Sequence, residues 1–196
     1  MKKLAIGAGL ILALSGCGGT AVDNSVFDRL LTDLSEVQML DFNGPNPGDA
    51  IMIDFAVKRL VLDTPEAFQE SGRNLVIDAD KVHAKAQEYF DFAIDEDQNT
   101  NEVDFTKDGR YQIMKGEDPQ YAFSKCKVLK DKNDTIFLDV DIYACNRGWK
   151  GTLDTKVEDF ETVDPDNIPQ RFKTMRSVLV RKDGAYKVIS YKVTQK

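Results

Sequence analysis

The sequence has little of what most catalytic centres are built from. Histidine occurs once, at His83, and cysteine three times, at Cys17, Cys126 and Cys145, in 196 residues. A lone histidine with no His, Cys or Asp cluster at ligand spacing around it supplies neither a zinc site nor a histidine-centred catalytic group. Gly-x-Ser-x-Gly, a phosphate-binding glycine loop and a reactive Cys-x-x-Cys are all absent, as are internal repeats and low-complexity tracts. The apolar run 4–14 is shorter than the roughly 20 residues of a permanent membrane-spanning helix. Basic residues are also in deficit, 26 against 33 acidic, for a net charge of −7. That balance argues against a nucleic-acid binder, which presents a basic stripe. It also argues against broad adhesion to anionic lipid headgroups and leaves at most a weak bias toward a cationic partner. No cofactor is called for, and the length fits one domain with an ordinary core.

What is present begins at the first residue. Lys2 and Lys3 precede the apolar run, and Leu14-Ser15-Gly16-Cys17 closes it with small residues before a cysteine. A charged start, a short apolar core and a small-residue end describe a removable export signal. The segment resembles the signal peptide and lipobox of a bacterial lipoprotein. That resemblance implies removal of residues 1–16 and attachment of diacylglycerol and palmitate-type chains to Cys17. Each buried methylene adds about 0.8 kcal/mol of anchoring, so two or three chains hold firmly. The mature chain then has 24 basic and 33 acidic residues, a net charge of −9. Residues 17–22 form the lipidated cysteine and a short tether, and 23–196 a single domain close to a membrane. Gly18 after the cysteine matches outer-membrane sorting if the host has two membranes.

With Cys17 assigned to lipid, Cys126 and Cys145 are an even pair in an exported protein, which suggests a disulfide. A hairpin with its tip at 130–135 would instead set Cys126 opposite about Asp139 and Cys145 near Gln120. That separation is roughly 20 Å along the strands, against about 4.4–6.8 Å between bonded cysteine Cα atoms. A bond requires the chain after Tyr143 to curl back at Gly148 and Gly151, and both states stay open.

The periodicity predicts helices first and strands second. Asp23-Asn24-Ser25 offers capping oxygens before Phe27, Leu30, Leu31, Leu34 and Val37 at helical spacing. Asp49 is expected to cap a second, well-buried helix through Ile51, Met52, Phe55, Ala56 and Leu60. Thr64-Pro65 opens a short helix to about Gln69. After a turn at 72–74 and a brief extended piece at 75–77, Asp78 caps a third helix with Val82, Ala86, Tyr89, Phe90 and Ala93 on one side. Beyond about Asn101 the period drops toward two. A hairpin at 105–113 turns about Lys107-Asp108-Gly109. Longer strands span 121–129 and 136–144, and a final hairpin at 171–194 turns about Asp183-Gly184. The acidic stretch 154–169 reads as a long loop. The fold class is α+β, with N-terminal helices packed on a curved antiparallel sheet.

This order is similar to the cystatin-like or nuclear-transport-factor-2-like cone. It also resembles extracytoplasmic bacterial lipoproteins in which a Tyr-Phe pair, here Tyr89-Phe90, precedes a hairpin like Asp108-Gly109-Arg110-Tyr111. Their last strand has a pattern like Asp183-Gly184-Ala185-Tyr186-Lys187-Val188. The likeness covers about residues 75–194 and implies no activity, since this superfold hosts enzymes and inert binding modules alike.

Four candidate sites stand beside simpler readings. Asp95-Glu96-Asp97-Gln98-Asn99-Thr100-Asn101 resembles an EF-hand loop in its alternating oxygens. Thr100 replaces the turn glycine and Thr106 the bidentate glutamate, so a polar helix-to-strand connection explains it better and no metal ligand is assigned. His83 reads as an exposed or half-packed helical residue. Asp139 and Asp141 point away from the aliphatic face of their strand and read as solvated charges. Arg147-Gly148-Trp149-Lys150-Gly151 is the binding candidate, through Trp149 and Arg147: the indole could stack on a sugar, a peptide or another aromatic. The simpler reading folds Trp149 over the sheet edge. Together these patterns describe a lipid-anchored envelope protein that acts as a non-catalytic ligand-binding or interaction module, with a membrane and an envelope protein, peptide or small molecule as partners. Its rivals are an enzyme of the same superfold using a buried Asp or Tyr in the cup, and a structural assembly protein.

Overall fold

The computed structural model describes residues 24–116, 121–146 and 148–195. The expected signal peptide, Cys17, the tether and Arg147 lie outside the described residues. The chain forms α1 (Ser25–Glu36), β1 (Phe42–Asn43), α2 (Asp49–Asp63), a 3-10 turn (Pro65–Ala67), β2 (Gln69–Ser71), β3 (Asn74–Asp78) and α3 (Ala79–Tyr89). It continues with β4 (Val103–Phe105), β5 (Arg110–Met114), β6 (Ala122–Lys132), β7 (Thr135–Ala144), a 3-10 turn (Val157–Asp159), α4 (Phe160–Val163), β8 (Gln170–Lys182) and β9 (Ala185–Gln195). The class is α+β with antiparallel sheets, as expected. The expected order, with helices first and one sheet after, is corrected. α3 sits between β3 and β4, α4 sits between β7 and β8, and a second sheet, β2-β3-β5-β4, stands apart from the main sheet β1-β9-β8-β7-β6.

The long hairpins follow from turn chemistry. Asn133-Asp134 and Asp183-Gly184 both have two residues at positive φ (50° and 63°; 50° and 81°), the geometry that matches strand twist in two-residue hairpins. The β6–β7 turn is therefore tighter than the expected tip at 130–135, and both strands run longer. Alternation sends Ile136, Leu138, Val140 and Ile142 of β7 to the inner face, all buried with Met175 and Leu179 of β8 and Val188 and Tyr191 of β9. Helices α1 and α2 supply the opposite wall through Phe27, Leu31, Leu34, Met52, Ile53 and Phe55. Phe27 of α1 reaches Tyr186 of β9 in an edge-on contact at 5.1 Å, so the helix lies in the curve of the sheet.

The exposed edge of the main sheet is β6, and α1 covers it. Thr32 Oγ1 accepts from the Ser124 amide at 2.9 Å, and Asp28 Oδ1 accepts from the Cys126 amide at 2.6 Å. The match is geometric: four helical residues rise about 6.0 Å and two strand residues about 6.8 Å. An open strand edge, otherwise a template for pairing with other chains, is thus closed by side chains.

Several local expectations are revised. Asp49 does not cap α2; its carboxylate instead accepts from the Asp95 and Glu96 amides at 3.2 and 3.0 Å. Gln69 starts β2 rather than ending a helix, and Ala93 is exposed because α3 stops at Tyr89 and Ile94 takes the buried place. The stretch 154–169 holds a 3-10 turn and α4, whose Phe160 is buried.

Candidate functional site

Three polar or aromatic clusters stand out in the fold. The first joins the three long helices. α2 is apolar on most sides yet carries Arg59, only 8% exposed, with Asp63 one turn on. Arg59 Nε and Nη2 both donate to Asp63 Oδ1, at 2.8 and 2.5 Å. Its Nη1 donates to Glu36 Oε2 at 2.5 Å and lies 3.3 Å from Asp33 Oδ1, both on α1. α3 contributes Tyr89, whose hydroxyl donates to Asp33 Oδ2 at 2.7 Å, and Lys85, which lies 3.4 Å from Asp63 and 2.7 Å from Glu88.

Burial raises the Asp33 carboxyl above its ordinary pKa, and the Tyr89 and Arg59 contacts only partly offset it. Burial acts in the same direction on Asp63, but there the Arg59 hydrogen bonds and charge, with Lys85, win and the carboxyl is lowered. The Tyr89 phenol is pushed up by burial and by Asp33. Arg59 stays protonated because its carboxylate partners outweigh desolvation. Sequence reasoning missed this cluster. The available signal was one arginine with an i,i+4 aspartate inside an otherwise apolar helix.

The second cluster is centred on Asp97, which accepts from the Tyr111 hydroxyl at 2.5 Å and faces His83 Nε2 at 2.7 Å. Burial alone would raise the Asp97 carboxyl, but the Tyr111 and His83 contacts prevail and it is lowered. His83 is half-packed, as expected, and tied to the loop that follows α3. Two other side chains of the calcium-like stretch are also engaged. Asn99 Oδ1 accepts from the Phe105 amide at 2.7 Å, and the Thr100 hydroxyl donates to Asp54. Among the described residues no group of three or more His, Cys, Asp or Glu could hold a metal ion.

The third cluster contains the expected binding residue. Trp149 is half-buried and meets Phe160 edge-on at 5.4 Å, over a layer formed by Phe123 and Tyr143 on the outer face of the sheet. A Cβ at Gly151 would overlap the indole, so that glycine lets the ring lie flat against the backbone. Asp164, fully buried, accepts from the Lys150 amide at 3.2 Å and holds the loop down. Trp149 thus folds onto an aromatic layer while part of its ring stays open; Arg147 is outside the described residues.

Of the two states left open for the cysteine pair, the structure has the unbonded one: Cys126 and Cys145 are both free thiols. The Cys145 amide donates to Tyr121 O, five positions from Cys126 and about 17 Å away along β6. The two thiols also belong to different apolar clusters, Cys126 against the inner core and Cys145 within the outer aromatic layer. Burial raises both thiol pKa values, that of Cys145 to about 11, which disfavours the nucleophilic thiolate form. Asp139 and Asp141 lie on the outer face, held by Arg176 at 2.8 Å and by Thr174 at 2.8 Å. No family model, no curated protein and no solved structure matches the chain.

Proposed function

We propose that this chain is a lipid-anchored, extracytoplasmic envelope protein whose domain works as a non-catalytic binding or interaction module. The anchoring part rests on Leu14-Ser15-Gly16-Cys17. The binding part rests on one observation, the half-open indole of Trp149 seated on a preformed layer of Phe160, Tyr143 and Phe123. A rigid aromatic platform of this kind suits a sugar ring, a peptide side chain or another flat apolar group. No helix among the described residues is long and apolar enough to cross a membrane. The cystatin-like or nuclear-transport-factor-2-like cone is the finer fold reading. It is supported by α1 in the curve of the main sheet and by bulges at Val128/Lys130 and Val178/Leu179, which bend the strands.

The rival enzyme reading has its own footing in Asp33 and Tyr89, a raised carboxyl beside a phenol. Weighing against it, both groups are engaged in holding three helices together. Two experiments test the proposal. Replacing Cys17 with Ala abolishes incorporation of labelled palmitate and releases the protein from the membrane fraction; unchanged labelling and retention refute the anchor. Trp149 is the single tryptophan, so its emission reports binding directly. A ligand at 100 times its dissociation constant also adds about 2.7 kcal/mol of stability. If panels of sugars, peptides and lipids change neither Trp149 emission nor the melting point, the binding reading fails.

A further inference from the structure

Away from the acidic segment that Phe160 seats on Phe123 and Tyr143, the outer face of the main sheet carries charge of the opposite sign to the chain as a whole. Register sets its residues in rows across the strands. The central row is Lys127, Asp139, Arg176 and Lys192. Beside it on one side run Lys125, Asp141 and Thr174, and beyond these Tyr143 and Arg171. On the hairpin side lie Lys130, Phe137 and Val178, then Lys132, Thr135, Val180 and Lys187. These rows therefore hold eight cations and two carboxylates, in a chain with 26 basic and 33 acidic residues.

Not all eight are available. Lys125 turns to Asp28 and Leu153 O at the edge, and Lys187 donates to the Gln87 and Glu88 carbonyls that end α3. Arg176 and Arg171 hold the two carboxylates. Lys127, Lys130, Lys132 and Lys192 are exposed and have no carboxylate in ion-pair range among the described residues. Lys130 stands 6.0 Å over the Phe137 ring. These lysines border a half-buried strip of Phe137, Val178 and Val180.

We propose that the hairpin half of this sheet face, clear of the Trp149–Phe160 layer at its other end, docks on an anionic lipid surface, its lysines on phosphates and its apolar strip at the headgroup boundary. Charge complementarity selects the occupant. Strands about 4.8 Å apart spread the cations over a plane about 14 Å wide, which matches a plane of headgroups rather than a concave small-ligand site. The acidic remainder of the chain is repelled by the same surface and fixes the orientation. The inference rests on the anchoring reading for its geometry. α1 begins beside β6, and the seven residue-to-residue steps from Cys17 to Asn24 reach at most about 25 Å, enough to lay the sheet on the bilayer.

Amine footprinting of the full chain tests it, on vesicles of phosphatidylcholine alone or mixed with phosphatidylglycerol. Lys127, Lys130 and Lys192 should be protected on the anionic vesicles only, and the protection should vanish at high salt. Lys81 on α3 and Lys107 in the β4–β5 turn, both exposed and away from this face, should label equally on both. K127Q/K192Q should weaken the protection of Lys130 by about fivefold per cation removed. Equal labelling on the two vesicle types overturns the proposal. So does protection that appears without vesicles and grows with protein concentration, which would assign the face to a second copy. Protection with an unacylated Cys17 sinks the anchoring reading and keeps the face; an acylated Cys17 without protection does the reverse.

Discussion

Replacing Thr32 with Val should destabilise the protein by about 1–3 kcal/mol, the cost of leaving a buried donor without its acceptor. Thr32 is 2% exposed and Ser124 fully buried. Valine has nearly the same shape, so little packing is lost, and the change isolates the bond from the Ser124 amide to Thr32 Oγ1 at 2.9 Å. Water cannot replace the acceptor, because Ser124 Oγ already donates to Leu31 O at 3.0 Å and Ser35 Oγ stands 3.2 Å away. At about 2–4 °C per kcal/mol for a chain of this size, a loss of 2 kcal/mol lowers the melting point by about 4–8 °C. The urea midpoint measures the loss, and hydrogen exchange locates it: the Ser124 amide should speed up while amides of the β8–β9 hairpin keep their protection relative to global unfolding. Thr135→Val on the outer face makes the same chemical change where the hydroxyl has no partner among the described residues, and should stay within about 0.5 kcal/mol. If the two variants behave alike, α1 does not cap the edge of β6 by hydrogen bonding and the reasoning fails.

Further perturbations address the other clusters. Arg59→Met strands Asp33, Glu36 and Asp63 around a lost cation and should cost about 3–5 kcal/mol at neutral pH; a deficit that does not shrink as acid protonates the carboxylates refutes the network. Asp97 has a lowered folded pKa, so its contribution is present above the ordinary carboxylate value and is lost as pH falls through the lower folded value. Asp97→Asn should therefore lower the melting point at neutral pH and converge with the wild type in acid. Gln38 sits at φ 52° where α1 ends, so Gln38→Gly should stabilise by up to about 1 kcal/mol in thermal unfolding. Gly151→Ala should dislodge the indole that lies on that glycine and shift Trp149 emission to the red; an unchanged spectrum refutes the seating described above.

Much of the fold was legible because it depends on short-range rules. Asp183-Gly184 specifies a hairpin wherever it falls between alternating strands, and the long apolar alternation of β7 has one inner face whatever covers it. Helices α1 and α3 start where the periodicity places them, although neither Asn24 nor Asp78 makes the expected side-chain capping bond. The second sheet was hidden because β2 and β4 have three residues each, too few to show a period. The Arg59 cluster was hidden for a different reason: its carboxylates come from helices α1 and α2, 23 or more residues apart, and only packing brings them together. Trp149 was recognised as notable, but its seat depends on Phe160, in a stretch whose composition reads as loop.

By itself the sequence determined the acidic balance, the α+β class and the two long hairpins, all of which follow from composition or from neighbours a few residues apart. Only the tertiary structure decided where the charges and thiols face. Net charge is a sum over the chain, whereas a surface field depends on which residues share a face. Strict alternation from Lys125 and Lys127 would turn Lys130 and Lys132 inward. The bulge between Val128 and Lys130 adds one residue, and Lys130 and Lys132 then pair with Phe137 and Thr135 on the outer face. One extra residue in a strand gathers the lysines on one side, and register likewise parts Cys126 from Cys145.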